Sequence, residues 1–214
     1  MSQNISRLDL FPDPIFIVRD LLGEDQRLKL QEDCYAWKDS SLGLQRTNSG
    51  GWHSEDTAFN RNEDSFKILK NNIIQQVGII VRNIDKSFDS SKNLQIKSEG
   101  WVNINKGTDF NSPHDHAGNT LSGCYYVKIP KKILSTIKTS GYIQFLDPNM
   151  GVNSDSVKIF KSMRNGFIQP QEDLLLIFPS WLKHMVHPHR EQDDRISIAF
   201  NLSIIICNKN TDNG

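Results

Sequence analysis

Apolar positions fall into two regimes along the chain, with a change near residue 85. Before it the period is helical in two places. Leu30, Cys34 and Trp37 recur at three and four within Gly23–Asp39, among charges suited to solvent, which predicts an outer helix. From Asn62 the run Phe66, Leu69, Ile73, Val77, Ile80, Ile84 keeps the same spacing more strictly, so a second, longer helix should lay one face on a sheet. Between them, Ser40–Phe59 carries Gly43, Gly50 and Gly51 and no clear period, which places Trp52 and His53 on a loop or a short strand. Ahead of both helices, Leu8–Leu22 alternates and then runs apolar through Ile15, Phe16, Ile17 and Val18; Pro12 and Pro14 confine its first half to an edge or a turn.

After Asp85 the apolar runs are short or alternating and are punctuated by Gly, Pro, Asn and Asp. Candidate strands are Gln95–Asn105, Thr120–Ile129, Tyr142–Leu146, Asp173–Phe178, Lys183–Val186 and Arg195–Ile206. Met150–Asn165 reads as a long polar connection and Asn208–Gly214 as a frayed tail. Helices first and short strands afterwards predict one α+β, mainly β domain: a helical part over about residues 1–94 packed outside a jelly-roll core over about 95–207. No internal repeat or domain boundary is evident.

Composition narrows the function classes. The 214 residues carry 25 Lys+Arg and 25 Asp+Glu, so no global field favours nonspecific binding to nucleic acid or an anionic membrane. Cys34, Cys124 and Cys207 are odd in number and far apart, as expected of free thiols in a reducing compartment. No basic head with an apolar signal core opens the sequence and no apolar run reaches membrane-spanning length, so the expectation is a soluble, cytoplasmic protein. Self-association is left open.

The candidate chemistry lies in two stretches. Trp101–His116 ends in Pro113-His-Asp-His116, and Phe178–Leu202 contains His184 and Arg195-Ile-Ser197. On an extended segment residues i and i+2 face the same way, so His114 and His116 can converge on one ion while Asp115 points away. A third ligand must come from His184, His187 or His189. His187 and His189 flank Pro188 and read better as loop histidines, whereas His184 falls inside the predicted sheet. Taken alone, the pair could equally be hydrogen-bonded histidines with no ion. Arg195 and Ser197 share the face of a strand whose other face, Ile196, Ile198 and Phe200, is apolar. A guanidinium turned inward there needs an acid, and with a neighbouring hydroxyl it suits a small organic carboxylate. The bland alternative pairs Arg195 with Glu191, Asp193 or Asp194 at a strand edge.

Trp101-Val-Asn-Ile-Asn, Pro113-His-Asp-His, Leu121-Ser-Gly-Cys-Tyr-Tyr-Val, Phe178-Pro-Ser-Trp-Leu-Lys-His and Arg195-Ile-Ser-Ile-Ala-Phe-Asn together resemble a family of Fe(II)- and 2-oxoglutarate-dependent oxygenases. The resemblance spans Trp101–Leu202; the first hundred residues match loosely, around Gly50-Gly-Trp52. It implies a double-stranded β-helix, with His114 and His184 as iron ligands and Arg195 with Ser197 on the far carboxylate of 2-oxoglutarate. Tyr126, Asn103 and Asn105 match further cosubstrate contacts. At position 116 the wider superfamily has Asp or Glu and this chain has His, as the narrower family does; His116 is preferred as the third ligand, with Asp115 as the alternative should a bulge re-aim it. The implied activity is a dioxygenase using Fe(II), 2-oxoglutarate and O₂ to hydroxylate a small-molecule or peptidyl substrate, releasing succinate and CO₂, with no catalytic group beyond the metal centre. Unperturbed histidines would release the ion through about pH 6. Two other classes stay open: a metal-binding jelly-roll module without catalysis, and a three-His iron dioxygenase that does not use 2-oxoglutarate. A buried Arg195 facing the metal favours the oxoglutarate reading.

Overall fold

A computed structural model describes residues 13–84, 92–131, 139–146 and 166–208. The expected polar connection and C-terminal tail fall almost wholly outside them. Eleven strands and two α-helices are described: β1 (Phe16–Val18), α1 (Glu24–Asp39), β2 (Asn48–Ser49), β3 (Trp52–His53), α2 (Asp64–Ile84), β4 (Lys92–Asn105), β5 (Phe110–His114), β6 (Leu121–Lys128), β7 (Ile143–Phe145), β8 (Gly166–Ile168), β9 (Leu175–Pro179), β10 (His184–Val186) and β11 (Arg195–Asn208). A single 3₁₀ turn, Ala58–Asn60, precedes α2.

The strands form two sheets, a major one in the order β1-β9-β6-β11-β4-β3 and a minor one in the order β2-β5-β10-β7-β8, with every strand pair antiparallel. This is the mainly β double-stranded β-helix. The long strand β11 is its spine, pairing with β4 along its whole length and with β6 over Ile196–Leu202. The first hundred residues are less purely helical than their periodicity suggests, because β1 and β3 extend the major sheet and β2 extends the minor one. These strands have two or three residues, too few to register as a period of two.

Both helices end up where their apolar stripes require. Leu30, Cys34 and Trp37 of α1 and Phe66, Leu69, Ile73, Val77 and Ile80 of α2 are buried in one cluster with Val102, Ile104, Tyr125, Val127, Ile196, Ile198, Phe200 and Leu202 from the outer face of the major sheet. Asp173 fixes the start of α1. In a left-handed turn (φ 61°) its carboxylate accepts from the N–H groups of Leu22 and Gly23 and from the Tyr125 hydroxyl, at 2.7–2.9 Å. A second cluster packs Tyr126, Leu176 and Phe178 of the inner face of that sheet against Ile143 and Phe145 of β7 in the minor sheet. Among the described residues no helix is long and apolar enough to cross a membrane.

Candidate metal centre

Pairing of β10 with β5 sets His184 directly opposite His114. Cross-strand partners on one face lie about 5 Å apart, and the two rings meet at 4.4 Å between centroids. His116 comes from beyond the end of β5, not from the strand itself. Its backbone N–H donates to the Ser180 carbonyl at 2.9 Å, and the turn swings its ring to 4.9 Å from His114 and 5.3 Å from His184. One ligand nitrogen from each of the three histidines can be chosen so that all lie within 4.8 Å of one another.

The donor set fits a divalent ion. Nδ1 of His114 lies 2.7 Å from the Ser112 carbonyl and Nδ1 of His184 lies 2.9 Å from the Leu182 carbonyl. A carbonyl only accepts, so each Nδ1 carries the proton and each Nε2 keeps a free lone pair. Burial, reinforced by the neighbouring rings, pushes His116 down to about 4 and His184 to about 3; burial lowers His114 as well. All three are therefore neutral at physiological pH, as ligation requires, and proton competition is displaced well below the pH 6 expected from ordinary histidines.

The other candidates are accounted for elsewhere. His187 Nε2 contacts Gln144 Oε1 at 2.8 Å, and buried His189 is held through both ring nitrogens by backbone groups, the Asn105 carbonyl and the Glu191 N–H. Asp115 is exposed, and its Oδ1 accepts from the Ala117 N–H at 3.2 Å.

A cavity of about 260 Å³ runs between the sheets past the histidines. Its floor is the inner face of the major sheet, where side chains stand in rows set by strand register. One row holds Asn105 and Arg195; the next holds Asn103, Ser197 and Tyr126; then come Trp101, Ala199 and Cys124; the last is Glu99, Asn201 and Ser122. The Trp101 ring lies 5.6 Å from His116, so the metal centre is level with the third row, whose Ala199 is small.

Arg195 is 1% exposed, and its Nε and Nη2 have no hydrogen-bond partner. Its guanidinium sits 5.2 Å from the centroid of the Tyr126 ring. Asp194, which the bland alternative would pair with Arg195, instead accepts from the Tyr35 hydroxyl and bridges to Lys106. Tyr126 Oη, Asn103 Oδ1 and Asn105 Oδ1 are also buried without partners. Arg195, Ser197 and Asn103 line the cavity, whereas Tyr126 and Asn105 occupy the same rows just behind its wall. A desolvated cation of this kind costs several kcal/mol unless an anion joins it, whereas the two amide oxygens accept hydrogen bonds and call for donors.

Several lining residues were not singled out on their own: Glu99, Arg46 and Asp56 carried no sequence signal, and Cys124, Ala199 and Asn201 entered only as members of the resembling motifs. Pleat parity places Cys124 with Tyr126, and Ala199 and Asn201 with Ser197, on the inner face once that face is known. Arg46 and Asp56 reach the cavity from the Ser40–Phe59 segment, where nothing in the spacing marks them. His53, expected on a loop or a short strand, lies on β3 and is buried, stacked on Trp101 at 5.8 Å.

Residues 99–201 match the family described as "Putative 2OG-Fe(II) oxygenase". A search of curated proteins gives no significant match. Solved structures share the fold at low identity. A prolyl-4-hydroxylase from Pseudomonas putida aligns with TM-score 0.59 and 13% identity over 88% of this chain and 91% of its own. A Trichoplax adhaerens prolyl hydroxylase, in complex with a hypoxia inducible factor peptide fragment, gives 0.62 and 14% over 88% and 83%. HygX from Streptomyces hygroscopicus, with nickel, 2-oxoglutarate and hygromycin B bound, gives 0.56 and 10% over 88% and 82%. The match runs from Glu99 on β4 to Asn201 on β11, which pair in the outermost row of the cavity floor, and so takes in the three histidines and Arg195; over these residues, just under half of the chain, the sequence is similar to the 2OG-Fe(II) oxygenase family.

Proposed function

We propose that the protein is an Fe(II)- and 2-oxoglutarate-dependent dioxygenase that hydroxylates a small-molecule or peptidyl substrate, with His114, His116 and His184 holding the iron and Arg195 with Ser197 holding the cosubstrate. The observation that carries this reading is the buried, incompletely bonded guanidinium of Arg195 in the same cavity as three convergent neutral histidines. When bound, iron and 2-oxoglutarate supply the oxidising power for R–H + 2-oxoglutarate + O₂ → R–OH + succinate + CO₂.

The chain's own residues bind, orient and dry the site. Three neutral histidines leave the full double charge of the ion uncompensated, which draws a dianion into the cavity. Along β11, Arg195 and Ala199 are four residues apart, about 13 Å at about 3.3 Å per residue. The guanidinium arm fills part of that span, and a five-carbon diacid suits the rest. Ser197 and Asn103 line this span, and the Tyr126 hydroxyl, which burial keeps protonated, is a donor close behind. Phe178 and Phe145 pack on His184 at 4.9 and 6.0 Å and exclude water from that side.

Arg195 also bears on the alternatives. A metal-binding module, or a three-His dioxygenase working without 2-oxoglutarate, gives no role to a buried cation beside the ion. The test is anaerobic titration with Fe(II), with and without 2-oxoglutarate, following the weak visible band of the chelate. Wild type should show the band; Arg195→Ala should bind iron normally and lose about 2–5 kcal/mol of 2-oxoglutarate affinity, with Arg195→Lys recovering only part because it lacks the planar fork. Unchanged affinity in Arg195→Ala would sink the cosubstrate assignment.

A further inference from the structure

The cosubstrate assignment leaves half of the cavity floor unused. Resting on that reading, 2-oxoglutarate takes the rows from Arg195 to the metal; the rows from Trp101 outward to Glu99 are then left for the molecule that is oxidised. Their chemistry is opposite in sign to the Arg195 end. Glu99, Asp56 and Asp115 line this part of the cavity, with Arg46 as the basic group among them, and Arg46 already lies 3.5 Å from Asp56. Asp56 is tied to this end by its backbone, since its carbonyl accepts from the Gly100 N–H.

Glu99 is held in place. The Ser122 hydroxyl donates to Asn201 Oδ1 at 2.8 Å, and Asn201 Nδ2 donates to Glu99 Oε1 at 2.8 Å. Ser122 and Asn201 are 1% and 6% exposed, so a buried relay across three strands fixes a carboxylate that faces the cavity mouth. At the border of the two halves, in the row next to Trp101, the partnerless Oδ1 of Asn103, on a residue 7% exposed, is an acceptor that a carboxylate cannot satisfy, and it calls for a donor from a second ligand.

We propose that the outer half of the cavity is the subsite for the oxidised substrate, that this substrate carries a cationic group, ammonium or guanidinium, and that Glu99 is the residue that selects it. A carboxylate at the mouth and a guanidinium at the inner end sort two ligands by charge: the dianionic cosubstrate is repelled from the outer rows and a cation from the inner ones. The group oxidised then lies between the cation and the metal, within one row of Glu99, about 7 Å along the strand.

The test uses the full chain loaded with Fe(II) and 2-oxoglutarate without oxygen, and four probes of one size: n-butylguanidinium, n-butylammonium, butyrate and n-butanol. Calorimetry should show the two cations binding and the other two not, with affinity falling as salt rises. Glu99→Gln should weaken the cations about tenfold while leaving 2-oxoglutarate affinity unchanged, and Glu99→Lys should turn the preference toward butyrate. On admitting oxygen, the cations should accelerate 2-oxoglutarate consumption in wild type and not in Glu99→Gln. Equal binding of butyrate and the cations, no binding of either cation, or full cation affinity in folded Glu99→Gln would each overturn the proposal. Loss of 2-oxoglutarate binding in wild type would instead strike the cosubstrate assignment, and the charge preference can then be read on the Zn(II)-loaded chain.

Discussion

The two faces of the major sheet are made by the same strands and have opposite characters. On β11 the even positions, Ile196, Ile198, Phe200 and Leu202, are all 0% exposed and packed beneath α1 and α2. The odd positions, Arg195, Ser197, Ala199 and Asn201, face the cavity. The neighbours repeat the division, with Val102 and Ile104 against Trp101 and Asn103 on β4, and Tyr125 and Val127 against Cys124 and Tyr126 on β6. The outer face is completed by the chain itself, ring on ring, as where Phe200 meets Phe59 at 6.0 Å. The inner face keeps orphan donors and acceptors on Arg195, Asn103, Asn105 and Tyr126. Each such group typically costs about 1–3 kcal/mol. A sheet that packs one face so fully and leaves these groups on the other is built to have that other face completed by ligands.

The sharpest way to break the contrast is to damage one face and measure both properties. Phe200→Ala removes a ring from the filled side and should cost about 3–5 kcal/mol of unfolding free energy, read by urea denaturation, while the folded fraction still takes up one divalent ion per chain. His184→Ala should do the converse, abolishing metal uptake and leaving the outer cluster intact. Full occupancy in His184→Ala with loss in His187→Ala would mean that the wrong distal histidine has been assigned. Metal loss in folded Phe200→Ala would mean that the faces are not separable.

The outer face was the more legible one. Strict helical spacing in Phe66–Ile84 and alternation in Arg195–Leu202 each report which side chains are apolar, and burial of apolar groups is what fixes the large elements. Placing His184 near His114 required the register of β10 on β5, and β10 has three residues, far too few to announce a partner. The two-residue spacing led to His116, although the geometry that presents it is a turn beyond β5 in place of a continuing pleat. Glu99 carried no signal, and Asn201 entered only inside the motif that begins at Arg195, because a polar residue at a strand position looks the same whether it meets solvent or a cavity.

Acidification should separate the faces more gently. The three histidines are held below their ordinary value of 6.5 by burial, His116 to about 4 and His184 to about 3. Between about pH 6.5 and 4 the unfolded chain therefore binds protons that the folded metal-free chain does not, so stability falls as pH falls across that window. The slope should be of order 1 kcal/mol per pH unit for each strongly shifted histidine. Bound metal should raise stability across the window without flattening the slope, since the folded histidines carry no proton there with or without the ion, and His116→Asn with His184→Asn should remove most of it. A metal-free wild type whose urea midpoint is flat from pH 6.5 to 4.5 would show that these rings take up protons freely in the fold.

The smallest expected effect tests the position where this chain departs from the two-His, one-carboxylate pattern. Asp115 is exposed, lies outside the convergent trio and spends Oδ1 on the Ala117 N–H, so Asp115→Asn should leave Fe(II) stoichiometry unchanged and alter stability by no more than about 0.5 kcal/mol. His116→Asp should also keep the ion, since a carboxylate on the same turn restores the commoner ligand set, although its shorter reach loosens the fit. It would lower the net charge at the metal by one and so weaken the pull on a dianionic cosubstrate. Weaker 2-oxoglutarate binding at equal iron content is thus the signature of His116 acting as ligand. If Asp115→Asn loses iron while His116→Ala keeps it, the turn after β5 must rearrange on loading, and the third ligand is the carboxylate.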